Sequence, residues 1–486
     1  MIDRRSLLLS AAIMVLPIAN SPGSAADAYD KDNSRGFSKE HGQYALLPDK
    51  PAQVIWGLGY EIQCDSIGSG NMGLPEQVIS VPNNLLPEER TRFYHQMLRG
   101  FRYCRLAMGL YLRGLDTQHR QIIERYHGQM ADLAEMQKES GIEGFDVEYW
   151  SPAPYWKSNN RYIGGSLRSF DADFLHALAA AFVQDLHYLE SHGLRPVQWG
   201  LQNEPPVSTT YSSCVYTPWA YRKAFKQIAP VIHAAYPKLL IHATSQDGQG
   251  GRYGSLLQAD PEAEKYVDAW TWHRVGTNSD DQIRNARSIY CVNTHGKPVF
   301  NNEFEYLYAK KITSHMFVNT AQSIMNWFVF VNSPTWYWLH ALKPIANSEA
   351  VGYALGFWRP PGDDNFKKYP DLLPGQWTYN PPNFNAIAGF LRYMPWNSTR
   401  INVHEHSVRA DNRILAFKTP AGKLVFVLTN RTVHPYTFHI DTRANSTFSG
   451  YRYTIAHRDV RLSELRGAVI SPTLPAYSIE FWIKGT

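Results

Sequence analysis

The sequence predicts an α/β fold, a (β/α)8 TIM barrel with a C-terminal side β-sandwich, on three observations. Eight short apolar runs alternate with helical patterns between Gln53 and Leu339, as a barrel requires. The fourth and seventh of those runs each end in a carboxylate, Glu204 in WGLQNEPP (Trp199 to Pro206) and Glu303 in KPVFNNEFEY (Lys297 to Tyr306). After Leu391 the pattern changes to short bursts with period two, the mark of antiparallel strands.

The elements follow in order. Tyr44 to Leu47 reads as a short strand and Gln53 to Ile62, QVIWGLGYEI, as the first barrel strand. The others are Tyr103 to Met108, Gly144 to Trp150, Pro196 to Leu201, Leu239 to Ala243, Val267 to Trp272, Lys297 to Phe300 and Thr335 to Leu339. Between them, apolar residues recur at helical spacing in Pro87 to Leu98, Tyr126 to Ser140, Phe170 to Ser191, Pro218 to Tyr236 and His315 to Asn332. Pro205 and Pro206 lack the N–H a ladder needs, so Asn203 and Glu204 fall at the carboxyl end of the fourth strand. Glu303 follows Glu204 by 99 positions, about three βα units of ~30 residues or more each. That spacing places the two carboxylates across the barrel mouth from one another, where barrel enzymes carry their chemistry. Ile414 to Thr419, Lys423 to Asn430, Tyr436 to Asp441 and Tyr477 to Lys484 read as sandwich strands separated by turn residues. The expected organisation is a barrel over 52–392 and a sandwich built from 27–51 and 393–486.

Composition narrows the function. The 486 residues are 44% hydrophobic and 19% charged, enough for a large core plus a smaller second domain. A net charge of +5, with no basic run, argues against nucleic acid as a partner. Aromatic residues make up 13%; core packing absorbs most, but rings in a cleft also stack on sugars. Residues 1–26 read as an export signal: Arg4 and Arg5 precede an apolar run from Leu7 to Ile18, and Ser24, Ala25 and Ala26 supply small residues before Asp27. Asp3-Arg4-Arg5-Ser6-Leu7 also fits a twin-arginine address. The run is too short to span a bilayer, so a secreted or periplasmic protein without a membrane anchor is expected. Cys64, Cys104, Cys214 and Cys291 show no metal-ligand spacing. Cys64 with Cys104 is the disulfide the strand ends would allow, and four buried free thiols are the alternative.

Breaking a glycosidic bond needs a proton for the leaving oxygen and negative charge beside a cation-like transition state, and two carboxyls supply both. Glu204 is assigned as acid/base, its proton retained in a partly apolar site beside Trp199, and Glu303 as nucleophile. Asn203 is placed to hold a sugar 2-hydroxyl, and Arg105 on the second strand to donate to Glu303. Phe304 between Glu303 and Glu305 makes Glu303 the inward-facing carboxylate.

These residues carry a resemblance. NEP ending a fourth strand and Glu ending a seventh look like the retaining glycoside hydrolases of clan A, and the chain resembles a distant branch of glycoside hydrolase family 30. The stretches that support it are WGLGYEIQ (Trp56 to Gln63), RLAMGLYLRG (Arg105 to Gly114), WSPAPYWKSNN (Trp150 to Asn160), DAWTWHRVG (Asp268 to Gly276), FNNEFEY, NFNAIAGFLRYMPWNSTRI (Asn383 to Ile401) and LPAYSIEFWI (Leu474 to Ile483). The resemblance implies a β-linked glucan, galactan, xylan or β-glucoside as substrate, no cofactor, and a sandwich that takes strands from both termini. Two departures stand out. Where the family has a Tyr two residues after the sixth-strand His, this chain has His273, Arg274 and Val275, leaving Tyr306, Tyr308 or another ring to replace it. The first strand has Gln63 and Cys64 where the family has an acidic residue, with Glu61 and Asp65 beside it.

Trp156 and Trp338 are the rings expected to line a sugar subsite, with His273 also facing substrate. Two other readings are open. A metal-dependent barrel hydrolase would use His242, His273, Asp247 and Glu303, against which no close ligand spacing exists. A non-catalytic carbohydrate-binding barrel would keep the fold without turnover.

Overall fold

A computed structural model describes residues 41–62, 85–247, 251–273, 275–276, 278–285, 295–307, 309–344, 352–360 and 369–485. The expected signal segment, Gln63, Cys64, Asp65, Arg274, Cys291 and Tyr308 lie outside the described residues. Eight parallel strands close into a barrel in the order Gly57–Ile62, Tyr103–Met108, Gly144–Tyr149, Pro196–Gly200, Leu240–Asp247, Ala269–His273, Val299–Phe304 and Thr335–Trp338. The last strand pairs with the first, Trp338 opposite Tyr60, so the barrel has no free edge. Their near-continuous apolar character follows from burial on both sides. Tyr103, Ala269, Phe300 and Tyr337 fill one layer of the interior, and the Tyr337 hydroxyl donates to Gln198 Oε1 at 3.0 Å. A layer of charged side chains fills the barrel towards the carboxyl ends of the strands.

One apolar run serves two sheets. The expected first strand, Gln53 to Ile62, divides at Trp56: His41–Ile55 belongs to the sandwich and Gly57–Ile62 to the barrel. Gly57, at φ +140°, makes the turn, and the Trp56 N–H donates to Pro334 O at 2.7 Å. His41–Ile55 pairs antiparallel with Ser398–Glu405 and, over its first residues, parallel with Tyr436–Tyr453.

The remaining sandwich strands are Asn412–Lys418, Leu424–Asn430 and Ser478–Lys484, with short pieces at Val460–Arg461, Leu465–Ile470 and Thr473–Leu474. Leu424–Asn430 is buried along its whole length because it separates two cores. Phe426 and Leu428 pack with Phe438, Phe448 and Trp482 inside the sandwich, while Val425 and Val427 join the main core with Ile479 and Phe481. Helix Pro381–Tyr393 covers that second face, Phe390 meeting Phe481 edge-on at 5.1 Å. Two arginines clamp sandwich to barrel. Arg413 makes a two-pronged pair with Glu405 (2.7 and 2.8 Å) and reaches Asn326 on helix Ser314–Phe330. Arg431 pairs with Asp280 at 2.6 Å.

The predicted helices are present within a few residues of their expected ends, at Pro87–Arg92 continuing into Phe93–Leu98, Gln129–Ser140, Ala172–Ser191, Pro218–Ala235 and Ser314–Phe330. Three features were not expected. Ser398–Glu405 alternates too weakly to read as a strand, the long burst from Tyr436 runs on to Tyr453, and the stretch after the eighth strand builds a small sheet from His340–Pro344, Ala354–Trp358 and Trp377–Tyr379. Among the described residues Cys104 and Cys214 are buried free thiols, and Cys64, the expected partner of Cys104, lies outside them. Among the described residues no helix is long and apolar enough to cross a membrane.

The contact between helix Pro381–Tyr393 and the sandwich tests this packing. A Cβ on Gly389 would stand 2.1 Å from Phe481 Cε2. Gly389→Ala should therefore lower unfolding free energy by about 1–3 kcal/mol in urea titration through overpacking, and an unchanged midpoint would show that the two layers are not in close contact.

Candidate active site

The side chains at the carboxyl end of the barrel are placed by local backbone devices. Glu204 has φ +45°, a left-handed conformation unusual for a residue with a β-carbon. Hydrogen bonds on both sides hold it there: the Asn203 N–H donates to Tyr149 O on the third strand at 2.7 Å, and the Glu204 N–H to Ser245 O on the fifth at 2.8 Å. Glu303 is placed by a break in register between Asn301 and Glu303 against the sixth strand. That irregularity lets two successive side chains work inside the barrel. Asn302 donates to Glu148 and Ser245, and Glu303 accepts from Arg105.

Arg105 organises the cluster. It has no exposed surface, and its guanidinium pairs with Glu61 at 2.7 Å, Glu148 at 2.6 Å and Glu303 at 2.9 Å. It also donates to Asn203 Oδ1 at 2.6 Å and lies 4.5 Å over the Trp150 ring. Gly200 leaves room beneath, since a Cβ there would stand 2.3 Å from the His242 ring. His242 is paired with Asp146 at 2.8 Å inside the barrel wall.

His273 ends the sixth strand and stands between the two predicted carboxylates. Its Nδ1 is 3.1 Å from Glu204 Oε1 and 3.4 Å from Glu303 Oε2. Oxygens of Glu204 and Glu303 and a nitrogen of His273 all lie within 4.8 Å of one another. The Glu204 side chain is 23% exposed and that of Glu303 11%, so both reach the open end of a largely buried cluster.

The charges divide unequally. Burial pushes the Glu61 carboxyl well above the usual carboxylate range, with Glu303 and Glu148 adding to the rise and Arg105 opposing it. Burial also works on Glu148, but Arg105 and His242 outweigh it and hold that carboxyl low. For Glu204, burial raises and the His273 hydrogen bond and charge lower; the net direction is down. His273 is raised: burial opposes the charged imidazole, but Glu303 and Glu204 outweigh it. The expectation that an apolar environment keeps the proton on Glu204 is therefore corrected. Trp199, the ring expected beside it, turns outward to Phe182 on the third long helix, Ala172–Ser191, and the imidazole takes its place.

The other assignments sort plainly. Glu204, Glu303, Asn203, Arg105 and His273 come together. Trp156 and Trp338 do not line the cleft: Trp156 is buried against Phe174 with its N–H on Arg120 O, and Trp338 is fully buried against Phe304 with its N–H on Tyr353 O. Strand alternation explains Trp338, since Tyr337 takes the inward place. Tyr306 does not replace the missing Tyr, because its hydroxyl is spent on Met316 O and Asn319. The metal reading is not supported either, as His242 is committed to Asp146, and a dication held by Glu204, His273 and Glu303 would face the Arg105 guanidinium already on Glu303. Sequence reasoning missed Glu148 and Asn302 and left Glu61 without a role. The available signal was charge inside strands, as in Asp146 and Glu148 of GFDVEY, which an enclosed barrel tolerates only when paired.

Comparisons place this architecture. Residues 397–480 match the glycosyl hydrolase family 30 beta sandwich domain. The whole fold is that of family 30 catalytic domains. The catalytic domain of the family 30 xylanase C from Talaromyces cellulolyticus shares 17% identity over 91% of this chain and 100% of its own, with a TM-score of 0.67. An endo-β1,6-glucanase shares 14% over 91% and 93%, with a TM-score of 0.66. A conserved exported protein from Bacteroides fragilis shares 12% over 90% and 99%, with a TM-score of 0.70. No curated protein sequence matches the chain.

Removing the central guanidinium tests the cluster. Arg105→Met would leave several buried carboxylates without their cation and should cost about 3–5 kcal/mol in unfolding free energy. A melting temperature equal to wild type would contradict the described pairing.

Proposed function

We propose that this chain is an exported retaining β-glycosidase, acting by double displacement on β-linked glucan, galactan, xylan or a β-glucoside. Glu303 is the nucleophile and Glu204 the acid/base. The observation that carries the reading is the separation: carboxyl oxygens within 4.8 Å suit a covalent glycosyl intermediate, whereas inversion needs about 6.5–9.5 Å to admit a water. The asymmetry of the pair supports these roles. Glu303 is the carboxylate in contact with the Arg105 guanidinium, whereas Glu204 is the more exposed and its side chain is hydrogen-bonded to the His273 imidazole, which can carry a proton.

The reaction draws on that contact. In the free protein the Glu204–His273 pair holds its proton on the imidazole; as the leaving oxygen approaches, the proton passes from His273 Nδ1 to Glu204 and on to that oxygen. Glu303 meanwhile attacks the anomeric carbon. In the second half, Glu204 takes a proton from water, which opens the ester to Glu303. Asn203, whose Oδ1 is taken by Arg105, has its amide N–H groups to offer a sugar hydroxyl. Export rests on the Arg4–Ala26 segment of the sequence.

Glu303→Gln should abolish hydrolysis of an aryl β-glycoside, and Glu204→Gln should lower it by about 10²–10⁴ on substrates with poor leaving groups. Proton NMR of the first product should show the β-anomer, and an α-anomer would refute double displacement. His273→Asn should move the alkaline limb of kcat/KM to lower pH, because the raised imidazole no longer stores the proton; an unmoved limb would remove His273 from the proton path.

A further inference from the structure

Just past Glu303 lies a pair of buried groups that the reaction above does not use. Glu305 follows the end of the seventh strand, His340 follows the eighth, and both side chains are almost wholly enclosed. Glu305 Oε2 meets His340 Nδ1 at 2.5 Å. The chain segments are tied together by the Leu339 N–H donating to Phe304 O at 3.0 Å. The remaining atom of each group, Glu305 Oε1 and His340 Nε2, has no hydrogen-bond partner among the described residues. Buried polar atoms in native proteins are nearly always satisfied, so two orphans on one dyad beside a nucleophile call for a ligand.

The chemistry of that ligand follows from the proton count. Burial pushes the Glu305 carboxyl well up, with Glu303 and Glu61 adding and Lys343 opposing, and burial pushes the His340 imidazole well down, with Lys343 adding. A carboxyl pushed up beside an imidazole pushed down favours the uncharged form of each. Whether the shared proton sits on Oε2 or on Nδ1, one of the two outer atoms is then a donor and the other an acceptor. A hydroxyl satisfies both at once. A carboxylate offers acceptors only and would meet the charge of Glu303, and an ammonium offers donors only.

We propose that Glu305 and His340 form the hydroxyl-recognition wall of the subsite holding the ring that Glu303 attacks, and that they select a neutral, hydroxyl-bearing sugar over a uronic acid. This rests on the glycosidase reading. Calorimetric binding to the full chain carrying Glu204→Gln, with phenyl β-D-glucoside, galactoside, xyloside and glucuronide and the monodeoxy forms of whichever binds, tests it without turnover. One deoxygenation should weaken binding at least about tenfold, the cost of leaving buried polar groups unpaired. In Glu305→Leu and His340→Phe the same deoxygenation should cost less than about threefold, while Glu305→Gln, which still offers donor and acceptor, should keep the penalty. A dyad that only supports the fold would leave the penalty equal in every variant. Equal penalties, a glucuronide bound as well as the neutral glycosides, or no sugar bound would each overturn the proposal. Binding with this coupling but no turnover by the wild type would uphold the dyad and instead refute the hydrolytic reading.

Discussion

A guanidinium with no exposed surface has to be neutralised where it lies, and in this barrel the groups that neutralise Arg105 are also the groups of the candidate site. Glu61 from the first strand, Glu148 from the third, Asn203 from the end of the fourth and Glu303 from the seventh all converge on one side chain of the second strand. Desolvating such a charge is costly, and the cost is offset only by several short, well-aligned partners. The strands are thereby held at mutual positions that their apolar contacts alone would not specify. Bulges, a left-handed Glu204 and the space over Gly200 are tolerated because they bring the partners to the guanidinium.

The same crowding sorts protons. One guanidinium serves the buried carboxyls unequally: burial drives that of Glu61 well upward, while Arg105 and His242 hold that of Glu148 low. His273 answers the carboxylates at the open end, so the two that oppose one another across the mouth have different cationic neighbours. Unequal surroundings of two otherwise identical groups are what acid/base and nucleophile roles require. Behind them Glu305 and His340 form a buried pair, Oε2 to Nδ1 at 2.5 Å.

How much of this was legible in the sequence depended on whether a feature is local. The eight barrel strands were readable because burial on both faces leaves short runs rich in apolar residues, and Glu204 was readable because Pro205 and Pro206 mark where its strand ends. The division of Gln53 to Ile62 between two sheets was not, since nothing in the run itself signals that Trp56 sits at a junction. Trp156, Trp199 and Trp338 misled for a related reason: an indole at a strand end looks alike whether it faces a cleft or a helix layer, and the tertiary packing chose the helix layer. The direction of the Glu204 shift depends on His273, 69 positions away, and no local pattern reveals that contact. The match of residues 397–480 to the family 30 sandwich agrees with the resemblance read from the barrel motifs and the C-terminal stretches.

The account stands or falls on Glu303 forming a bond to sugar. Incubating the protein with a 2-deoxy-2-fluoro aryl β-glycoside, which slows the second step more than the first, and analysing the digested protein by mass spectrometry addresses this directly. A fluoroglycosyl mass on the peptide containing Glu303 is the predicted result. An adduct on Glu204 or Glu61, or turnover without any adduct, would contradict it.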